Sequence, residues 1–346
     1  MTGVEVKPEE RSAHDVLAWS RNLVDPALRA AVDTLPDSMR RIAGYHFGWW
    51  DEDGRPAEAD GGKALRPALA LLAAEATGGT AGVAIPAAVA VELVHNFSLL
   101  HDDVMDRDVT RRHRPTAWSV FGINGAILAG DALLTLAFDV LAASGHPAAR
   151  GAMRLISWAV QELVEGQCAD LGFEQRSDVD LAECVRMAER KTGALLGCSS
   201  AIGGLFAGAD ERRVEHLCGF GEALGLAFQF VDDLLGIWGD PSVTGKPVYS
   251  DLYSRKKSLP VVAALVSGTE AGRELGALYL LDQQSTGIDL GRAADLVDLA
   301  GARAWSQSRA DELLAGALQQ LEQTRPEQRA GAELAALARL ATRRDR

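Results

Sequence analysis

Apolar residues recur every three or four positions along most of this chain, in segments rich in alanine and leucine. This spacing places them on one face of an α-helix, whereas the apolar–polar alternation of a half-buried strand is scarce. We therefore expect one all-α domain covering residues 1–346, of which 1–50 form a helical N-terminal extension. The pattern predicts one or two helices in 12–46, three or four in 257–343, and others at about 63–77, 83–107, 117–143, 148–172, 179–208 and 210–239. Loops are predicted at 51–62 and 239–251.

Composition and charge exclude several classes of protein. With 47% hydrophobic and 24% charged residues, the chain has the balance of a globular protein rather than a disordered one. Its formal net charge of −13 argues against general nucleic-acid binding, which depends on basic surface. The polar, acidic N-terminus is no secretory signal, and no apolar run is seen to reach the length that crosses a bilayer. We expect a cytoplasmic protein without a transmembrane segment, whose four cysteines, none in a CxxC pair, are reduced thiols.

Lysine is rare in this chain, which suggests that each lysine has a specific use. Only six of the 35 basic residues are lysine, so arginine serves for routine surface charge. A compact ammonium group suits sites at which the planar guanidinium fork does not fit. Five of the six lysines stand in short motifs rather than on obvious helix faces: Lys63, Lys191, Lys246, Lys256 and Lys257.

The segment SLLHDDVMDRDVTRRHRP, residues 98–115, places a cluster of carboxylates directly after an apolar helix. If the helix continues, Asp102 and Asp106 share a face because they are four residues apart. Carboxylates at the C-terminal end of a helix cost a few tenths to about 1 kcal/mol each. A hard divalent cation such as Mg²⁺ would remove this cost, and it commonly completes its shell with substrate phosphates. The pattern favours a metal site over a merely solvated acidic face.

A second cluster repeats this arrangement in LGLAFQFVDDLLGIWGD, residues 224–240. Asp232 and Asp233 again follow an apolar helical segment, and Gly236 stands where a third carboxylate would complete DDxxD. Two acidic walls that face each other repel unless cations lie between them, and a diphosphate between them would be held through metal ions. Two such clusters in helical context are much stronger evidence than one.

These segments together resemble the trans-isoprenyl diphosphate synthase (polyprenyl synthetase) family. The resemblance runs from about Gly61 to Pro260 and rests on GGKALRP, ELVHNFSLLHDDVMDRDVTRRHRP, ILAGDALL, ELVEGQ, RKTGALLG, FQFVDDLLGIWGDP, VTGKP and DLYSRKKSLP. It implies an isoprenoid-synthase helical bundle around a central cavity, three Mg²⁺ per active site and a homodimer. It also implies that an allylic diphosphate ionises, that isopentenyl diphosphate attacks the cation, and that proton loss leaves a chain five carbons longer.

The resemblance further implies roles for individual residues. The Mg²⁺ ligands would be Asp102, Asp106 and Asp232, supported by Asp103 and Asp233. The residues that hold isopentenyl diphosphate would be Lys63, Arg66, His95 and Arg112. The residues that hold the allylic diphosphate would be Arg111, Lys191 and Lys256, with Lys246 nearby. The residues that stabilise the cation would be Thr192 and Gln229.

The chain departs from the family pattern at Gly236, where an aspartate is usual, and at Ala64, where a basic residue is common. If position 236 acts mainly through water, activity survives; if it is a direct ligand, the third metal is weakened. The first 50 residues, including GYHFGWW, match no motif, and their Trp49 and Trp50 are expected in a core or dimer contact.

Product length is predicted from the residues ahead of the first cluster. Phe97 and Ser98 stand five and four residues before Asp102, and five residues correspond to about 7.5 Å along a helix. In the family a bulky residue there limits growth, and the chain lacks the DDxxxxD insertion seen in many bacterial farnesyl synthases. A C20, geranylgeranyl product is therefore predicted. The alternatives are a C15 or longer product, with Phe97 an ordinary core residue.

Three other functions compete with this one. A type I terpene cyclase would carry an Asn/Ser/Glu metal motif in place of the second aspartate pair and would not need Lys63, Arg66 and Arg112. A non-catalytic partner subunit of a prenyl synthase would generally have lost aspartates, and only Gly236 supports that interpretation. A helical phosphohydrolase is suggested by His101–Asp102 alone, without the other histidine ligands.

Overall fold

Helices account for most of the residues that the computed structural model describes, which are 10–57, 59, 62, 64–241, 247–280 and 289–343. The helices are α1 Ala13–Val32, α2 Asp37–His46, α3 Leu65–Ala76, α4 Ile85–Met105, α5 Ala117–Ala143, α6 Ala149–Glu174, α7 Leu181–Ala188, α8 Ala194–Phe206, α9 Glu211–Trp238, α10 Ser250–Tyr253, α11 Leu259–Leu265, α12 Glu270–Leu280, α13 Leu290–Leu299, α14 Ala302–Gln323 and α15 Gln328–Thr342. A 3₁₀ turn, Ala81–Ala84, precedes α4, and a π-helical segment, Glu189–Gly193, joins α7 to α8.

The all-α prediction is confirmed, and α5 has the predicted bounds although Gly122 interrupts it with a non-helical φ of 81°; three other features differ from the expectation. Within the described residues after 257 there are five helices, α11 to α15, instead of three or four. The helix predicted at 179–208 is interrupted by the π-helical segment. A short hairpin, β1 Thr110–Arg111 with β2 Arg114–Pro115, follows the first aspartate cluster, because strands of two residues are too short to leave an alternating pattern.

The described residues group into two units. Unit 1 comprises the chain up to Ser157 together with Cys198–Cys218 and Gln320–Leu337, and unit 2 comprises Trp158–Gly197, Gly219–Gln319 and the chain from Ala338. The first aspartate cluster therefore belongs to unit 1 and the second to unit 2. The assignment of the chain to one domain stays a prediction.

Unit 1 is built around α3 and α4, which are apolar on nearly all sides and accordingly buried. α4 packs against α5 and α3, and α1 packs against α3 and α4. The N-terminus of α1 is fixed by Arg11, whose guanidinium donates to the fully buried Glu333 carboxylate at 2.6 Å and to Glu75 at 3.2 Å. Arg329 donates to Glu75 at 2.7 Å, so two arginines and two carboxylates tie α1, α3 and α15 together.

Unit 2 contains two apolar clusters. The first gathers α7, α9 and α14 around Phe230, whose ring meets Trp305 edge-on at 5.5 Å. The second packs α11, α12 and α13 against Ile237 and Leu252. The two clusters therefore hold both sides of the end of α9, the segment that carries the second aspartate pair.

Two of the described helical segments, Ala81–Met105 and Ala117–Ala143, are long and apolar enough to cross a membrane by length and composition alone. The expectation that no segment reaches this length and hydropathy is therefore wrong. In the first, 72% of the apolar window is buried, as in a core helix, and in the second 39% is buried. The absence of a membrane-spanning segment stays a prediction. All four cysteines are free thiols; Cys184 and Cys198 are buried, whereas Cys168 is exposed.

Candidate active site

In unit 1, α4 ends within the first aspartate cluster. Asp102 lies in the last turn, and Asp106 caps the helix, its backbone N–H donating to the Asp102 carbonyl at 2.8 Å. Because the helical hydrogen bond between them is intact, Asp102 and Asp106 share one face of the chain, as predicted. Asp102 is partly exposed and Asp106 is exposed, so this face presents carboxylate oxygens to solvent.

Asp103 points the other way and is only 1% exposed. Its Oδ1 accepts from Arg111 Nε at 2.7 Å, and its Oδ2 is buried with no hydrogen-bond partner among the described residues. Burial raises the pKa of Asp103 to about 6 although the Arg111 guanidinium opposes this shift. Asp103 therefore fixes Arg111 in place, while its neighbours Asp102 and Asp106 stay accessible.

The hairpin that carries Arg111 and Arg112 is supported by the GYHFGWW segment, which matched no sequence motif. The Tyr45 hydroxyl donates to the Pro115 carbonyl at 2.8 Å, and Arg114 donates to the Trp50 carbonyl at 3.1 Å. The Arg114 guanidinium also stacks on the Tyr45 ring, 4.4 Å from its centroid. The N-terminal extension thus positions the arginines that follow the first cluster, and Trp50 lies in a core contact, half-buried against Gly44.

A basic cluster forms around α3 and α4. Burial lowers the pKa of Arg66 to about 10, although Glu92 opposes this, and Arg66 Nε has no partner among the described residues. Burial and the charges of Arg66 and Arg112 hold the pKa of His95 well below its usual value. Burial and nearby arginines likewise lower the pKa of His46 to about 3. Both histidines are therefore neutral at pH 7, as an environment crowded with cations requires. Lys63 lies outside the described residues.

Phe97 and Ser98, the predicted product-length residues, are both buried on α4. The Phe97 ring meets His101 edge-on at 4.8 Å, and His101 Nε2 lies 3.0 Å from the Ile127 carbonyl of α5. The glycine of the ILAGD motif, Gly130, makes room for this ring, because a β-carbon there would overlap the imidazole. Ser98 donates back to the His95 carbonyl at 2.8 Å, so its hydroxyl is satisfied within the helix.

In unit 2 the second pair divides in the same way: Asp232 is exposed and Asp233 is 2% exposed. Asp233 accepts from Gln229 Nε2 at 2.8 Å and from the Leu259 backbone N–H at 2.9 Å, and Lys256 Nζ lies 3.7 Å away. Burial raises the pKa of Asp233 to about 6, with Lys256 opposing. The carboxylates around Lys256 raise the pKa of that ammonium despite its burial. Lys256 therefore stays charged.

The π-helical segment carries Lys191 and Thr192, and π turns are frequent at functional sites. Lys191 Nζ lies 2.5 Å from Asp170 Oδ2. Thr192 Oγ1 donates to Gln229 Oε1 at 2.7 Å, so a chain of hydrogen bonds runs from Thr192 through Gln229 to Asp233. The structure thus links the two residues predicted to stabilise the cation to Asp233, which was predicted to support the metal ligands. Lys246 lies outside the described residues.

Sequence analysis missed two residues of the ELVEGQCAD segment on α6. Asp170 pairs with Lys191, and the charges of Lys191 and Lys256 lower its pKa against the effect of burial. The Gln167 amide is buried, and neither of its polar atoms has a partner among the described residues. A carboxylate and an amide three residues apart in an apolar helix were the available signal.

The described side chains are suited to a hard metal ion that is shared with substrate. No group of three His, Cys, Asp or Glu side chains in this part of the chain is arranged to hold an ion by itself. The accessible donors are carboxylates, Asp102 and Asp106 in unit 1 and Asp232 in unit 2, which suit Mg²⁺. Because Mg²⁺ usually keeps waters and takes phosphate oxygens from substrate, an incomplete protein ligand set fits this ion.

Comparison with known proteins agrees with these features. The polyprenyl synthetase family model matches residues 56–293. The chain is 52% identical over 299 residues to a (2E,6E)-farnesyl diphosphate synthase of Mycobacterium tuberculosis, covering 85% of this chain and 83% of that protein. It is 47% identical over 321 residues to a geranylgeranyl diphosphate synthase of the same organism, covering 92% and 91%.

The fold is also that of a solved structure, a polyprenyl synthetase from Streptomyces coelicolor A3(2). That structure is 48% identical, has a TM-score of 0.92, and is matched over 95% of this chain and 99% of its own. These relatives cover both the aspartate clusters and the helices around them. The chain belongs to the polyprenyl synthetase family.

Proposed function

We propose that the protein is a Mg²⁺-dependent prenyltransferase that condenses isopentenyl diphosphate with an allylic diphosphate and releases a C20, geranylgeranyl diphosphate. One observation supports this most directly: in each unit an aspartate pair ends or follows the apolar part of a long helix. In each pair the first carboxylate is accessible and the second is buried beside a cation. This arrangement offers ligands outward while keeping the helix ends rigid.

In the proposed reaction, Asp102, Asp106 and Asp232 would hold three Mg²⁺, which supply positive charge to the departing diphosphate. Arg111, Lys191 and Lys256 would hold the same diphosphate through charge-assisted hydrogen bonds, positioned by Asp103, Asp170 and Asp233. Their fixed charges favour cleavage of the allylic carbon–oxygen bond because negative charge grows on the oxygen that leaves.

The remaining residues would bind the second substrate and steady the carbocation. Arg66, Arg112 and neutral His95 would hold isopentenyl diphosphate, with Lys63 added as a prediction. Thr192 and Gln229 present oxygen atoms that can stabilise a developing allylic cation, and their mutual hydrogen bond fixes both rotamers. The double bond of isopentenyl diphosphate then attacks the cation, and the released diphosphate takes the proton.

The test is incubation of the purified protein with isopentenyl diphosphate and a C5, C10 or C15 allylic primer, with and without Mg²⁺, followed by product sizing. Formation of a C20 product only with Mg²⁺ supports the whole proposal. If the C5 and C10 primers give a C15 product and the C15 primer is not turned over, the product is farnesyl diphosphate and the C20 assignment is wrong. No condensation with any primer rejects the prenyltransferase.

The C20 assignment is supported by Phe97, a bulky side chain that is buried and held against His101 below the aspartates. Phe97→Ala is expected to shift the product distribution beyond C20, because the floor of the tail site is lowered. An unchanged distribution in Phe97→Ala removes this residue from the control of chain length.

We also propose a homodimer, supported by an exposed apolar stripe on α5. Ile123, Ile127 and Leu128 are 52%, 37% and 55% exposed and lie on one side of the helix. Apolar side chains grouped in this way mark surfaces that are covered in an assembly. Sedimentation at several concentrations should show a dimer that Leu128→Glu converts to a monomer. A monomeric wild type would exclude the dimer.

A further inference from the structure

The third position of the second aspartate motif is Gly236 of α9, and the space beside it is already filled by a carboxylate. A β-carbon at position 236 would lie 2.5 Å from Cγ of Asp251 and 2.7 Å from its Oδ1. Real β-carbons almost never approach other atoms so closely. No side chain other than hydrogen fits at position 236 while Asp251 keeps its place.

Two hydrogen bonds to the carbonyls of Gly236 and Ile237 hold the two residues that directly precede Asp251. Ser250 Oγ donates to the Gly236 carbonyl at 3.2 Å, and the Tyr249 backbone N–H donates to the Ile237 carbonyl at 3.1 Å. They attach the start of α10 to the last turns of α9. Because both acceptors on α9 are backbone carbonyls, the register of α10 against α9 does not depend on the side chains of α9.

Asp251 is also connected to the cations of this half of the site. It is 9% exposed, and its carbonyl accepts from the backbone N–H of Lys256 at 2.9 Å, closing the turn that leads to that lysine. The carboxylates of Asp233 and Asp251 are among those that raise the pKa of Lys256 despite its burial. Asp251 therefore acts on the groups that a carboxylate at position 236 would reach.

We propose that Asp251 replaces the missing third carboxylate of the second aspartate motif, reaching from α10 into the side-chain position that Gly236 leaves open. Gly236 is then a requirement of this chain and not the loss of a functional group. This inference rests on the proposed function for its chemical meaning. Asp251 is a positioning residue here: it keeps Lys256 and Asp233 arranged beside Asp232, so that metal and diphosphate bind.

The geometry predicts reciprocal coupling between the two positions. Gly236→Asp alone is expected to lower the melting temperature by a few degrees, because two carboxylates compete for one place. Asp251→Ala alone is expected to raise the Mg²⁺ concentration for half-maximal thermal stabilisation by inorganic pyrophosphate roughly 10- to 100-fold, the usual range when support of a metal ligand is lost. The double variant Gly236→Asp/Asp251→Ala should recover both the melting temperature and most of the Mg²⁺ response.

Matched controls separate this coupling from general effects. Gly316→Asp adds a carboxylate at a helical glycine of α14 with nothing within 4 Å of the added β-carbon, and Asp295→Asn removes an exposed carboxylate from α13. Both should leave the Mg²⁺ response within about threefold of wild type, since independent sites change it little. Asp251→Asn keeps the shape of the side chain and removes its charge, so it should reproduce the weaker Mg²⁺ response of Asp251→Ala. Because the asparagine still fills the space beside position 236, Gly236→Asp/Asp251→Asn should not recover the melting temperature.

The outcomes are distinct. If the two single effects simply add in the double variant, or if Asp251→Ala leaves the Mg²⁺ response unchanged, the inference is overturned. The melting-temperature cycle is measured without ligand, so it decides whether one position is shared whatever the enzyme makes. Failure of the proposed function is detected in a separate experiment, the primer incubation, in which the wild-type protein would give no condensation product with any primer.

Discussion

The two aspartate clusters share a plan and differ in the cations that support them. In unit 1 the buried Asp103 is held by the arginine fork of Arg111, and further arginines and neutral histidines surround it. In unit 2 the buried Asp233 lies beside Lys256, and Asp170 pairs with Lys191. All seven histidines of the chain also belong to unit 1.

Four of the six lysines belong to unit 2, in line with this difference. A guanidinium keeps its charge and offers a rigid, planar set of donors, which suits a diphosphate held in one orientation. An ammonium is a compact charge on a flexible stem and suits a diphosphate whose bonding changes as its carbon–oxygen bond breaks. In the proposed function, Arg111 would bring a rigid fork, and Lys191 and Lys256 would bring flexible ammonium groups, to the same allylic diphosphate.

The largest expected effect is at the accessible aspartates. Asp102→Asn and Asp232→Asn should each lower kcat by about 10²- to 10³-fold, the range for losing one group that stabilises developing charge. Asp232→Asn should be at least as severe, because unit 1 retains the exposed Asp106, whereas Asp233 and Asp251 of unit 2 are buried. Asp295→Asn is the matched control in steady-state assays. A loss below tenfold at Asp232 would mean that the first cluster holds the metals alone.

Removal of the supporting cations should affect stability next most strongly. Arg111→Met leaves the buried Asp103 carboxylate without a hydrogen-bond donor among the described residues and should lower the free energy of unfolding by about 2–3 kcal/mol. Lys256→Met should cost about 1–2 kcal/mol, because Gln229 and the Leu259 N–H still donate to Asp233. Urea unfolding measures both, and Asp103→Asn should partly rescue Arg111→Met. Equal losses of unfolding free energy in Arg111→Met and Lys256→Met would contradict the predicted difference between the two clusters.

Two motif glycines allow a further comparison of the units. In unit 2 a β-carbon on Gly166 would lie 2.5 Å from the backbone nitrogen of Lys191, whereas in unit 1 the obstacle at Gly130 is the movable His101 ring. Gly166→Ala should therefore cost about 1–3 kcal/mol and Gly130→Ala less. Gly172→Ala, at an open position of α6, is the control and should be neutral or stabilising. If thermal unfolding shows that Gly130→Ala is more destabilising than Gly166→Ala, the prediction that the backbone of Lys191 is the harder obstacle is wrong.

The smallest effect is a pH dependence that arises from unit 1. Folding lowers the pKa of His46 from 6.5 to about 3. Between pH 3 and 6.5, His46 is therefore protonated in the unfolded chain and neutral in the folded chain. The contribution of His46 to stability is therefore intact above pH 6.5 and falls as the pH drops, by about 1 kcal/mol between pH 7 and 5.5, whereas the raised pKa values of Asp103 and Asp233 act in the opposite direction.

Urea unfolding at these two pH values checks this prediction. His46→Gln should make the decline shallower, and His95 should account for a further share. His14→Gln, at an exposed position of α1, should leave the decline as in wild type. If the unfolding free energy of His46→Gln changes with pH as in wild type, His46 does not stay neutral in the folded protein and the prediction is wrong.

Sequence reasoning was strongest where the signal is local. The bounds of α5 and the shared face of Asp102 and Asp106 follow from helical periodicity alone. Asp251 could not be found in this way, because its approach to Gly236 depends on how α10 attaches to α9. The support of the Arg111 hairpin by Tyr45 is likewise a contact across 70 residues, between segments with no common pattern.

The π-helical segment also escaped prediction, since one extra residue in a turn barely disturbs the apolar spacing of its neighbours. A helix advances by about 100° per residue, so deleting one residue between Glu189 and Gly193 would rotate Lys191 and Thr192 by that angle relative to one flank. The lysine would leave Asp170 and the threonine would leave Gln229 without any side chain being exchanged. At this point the chemistry is tied to the count of residues in the backbone, so that insertions and deletions are more damaging here than most replacements.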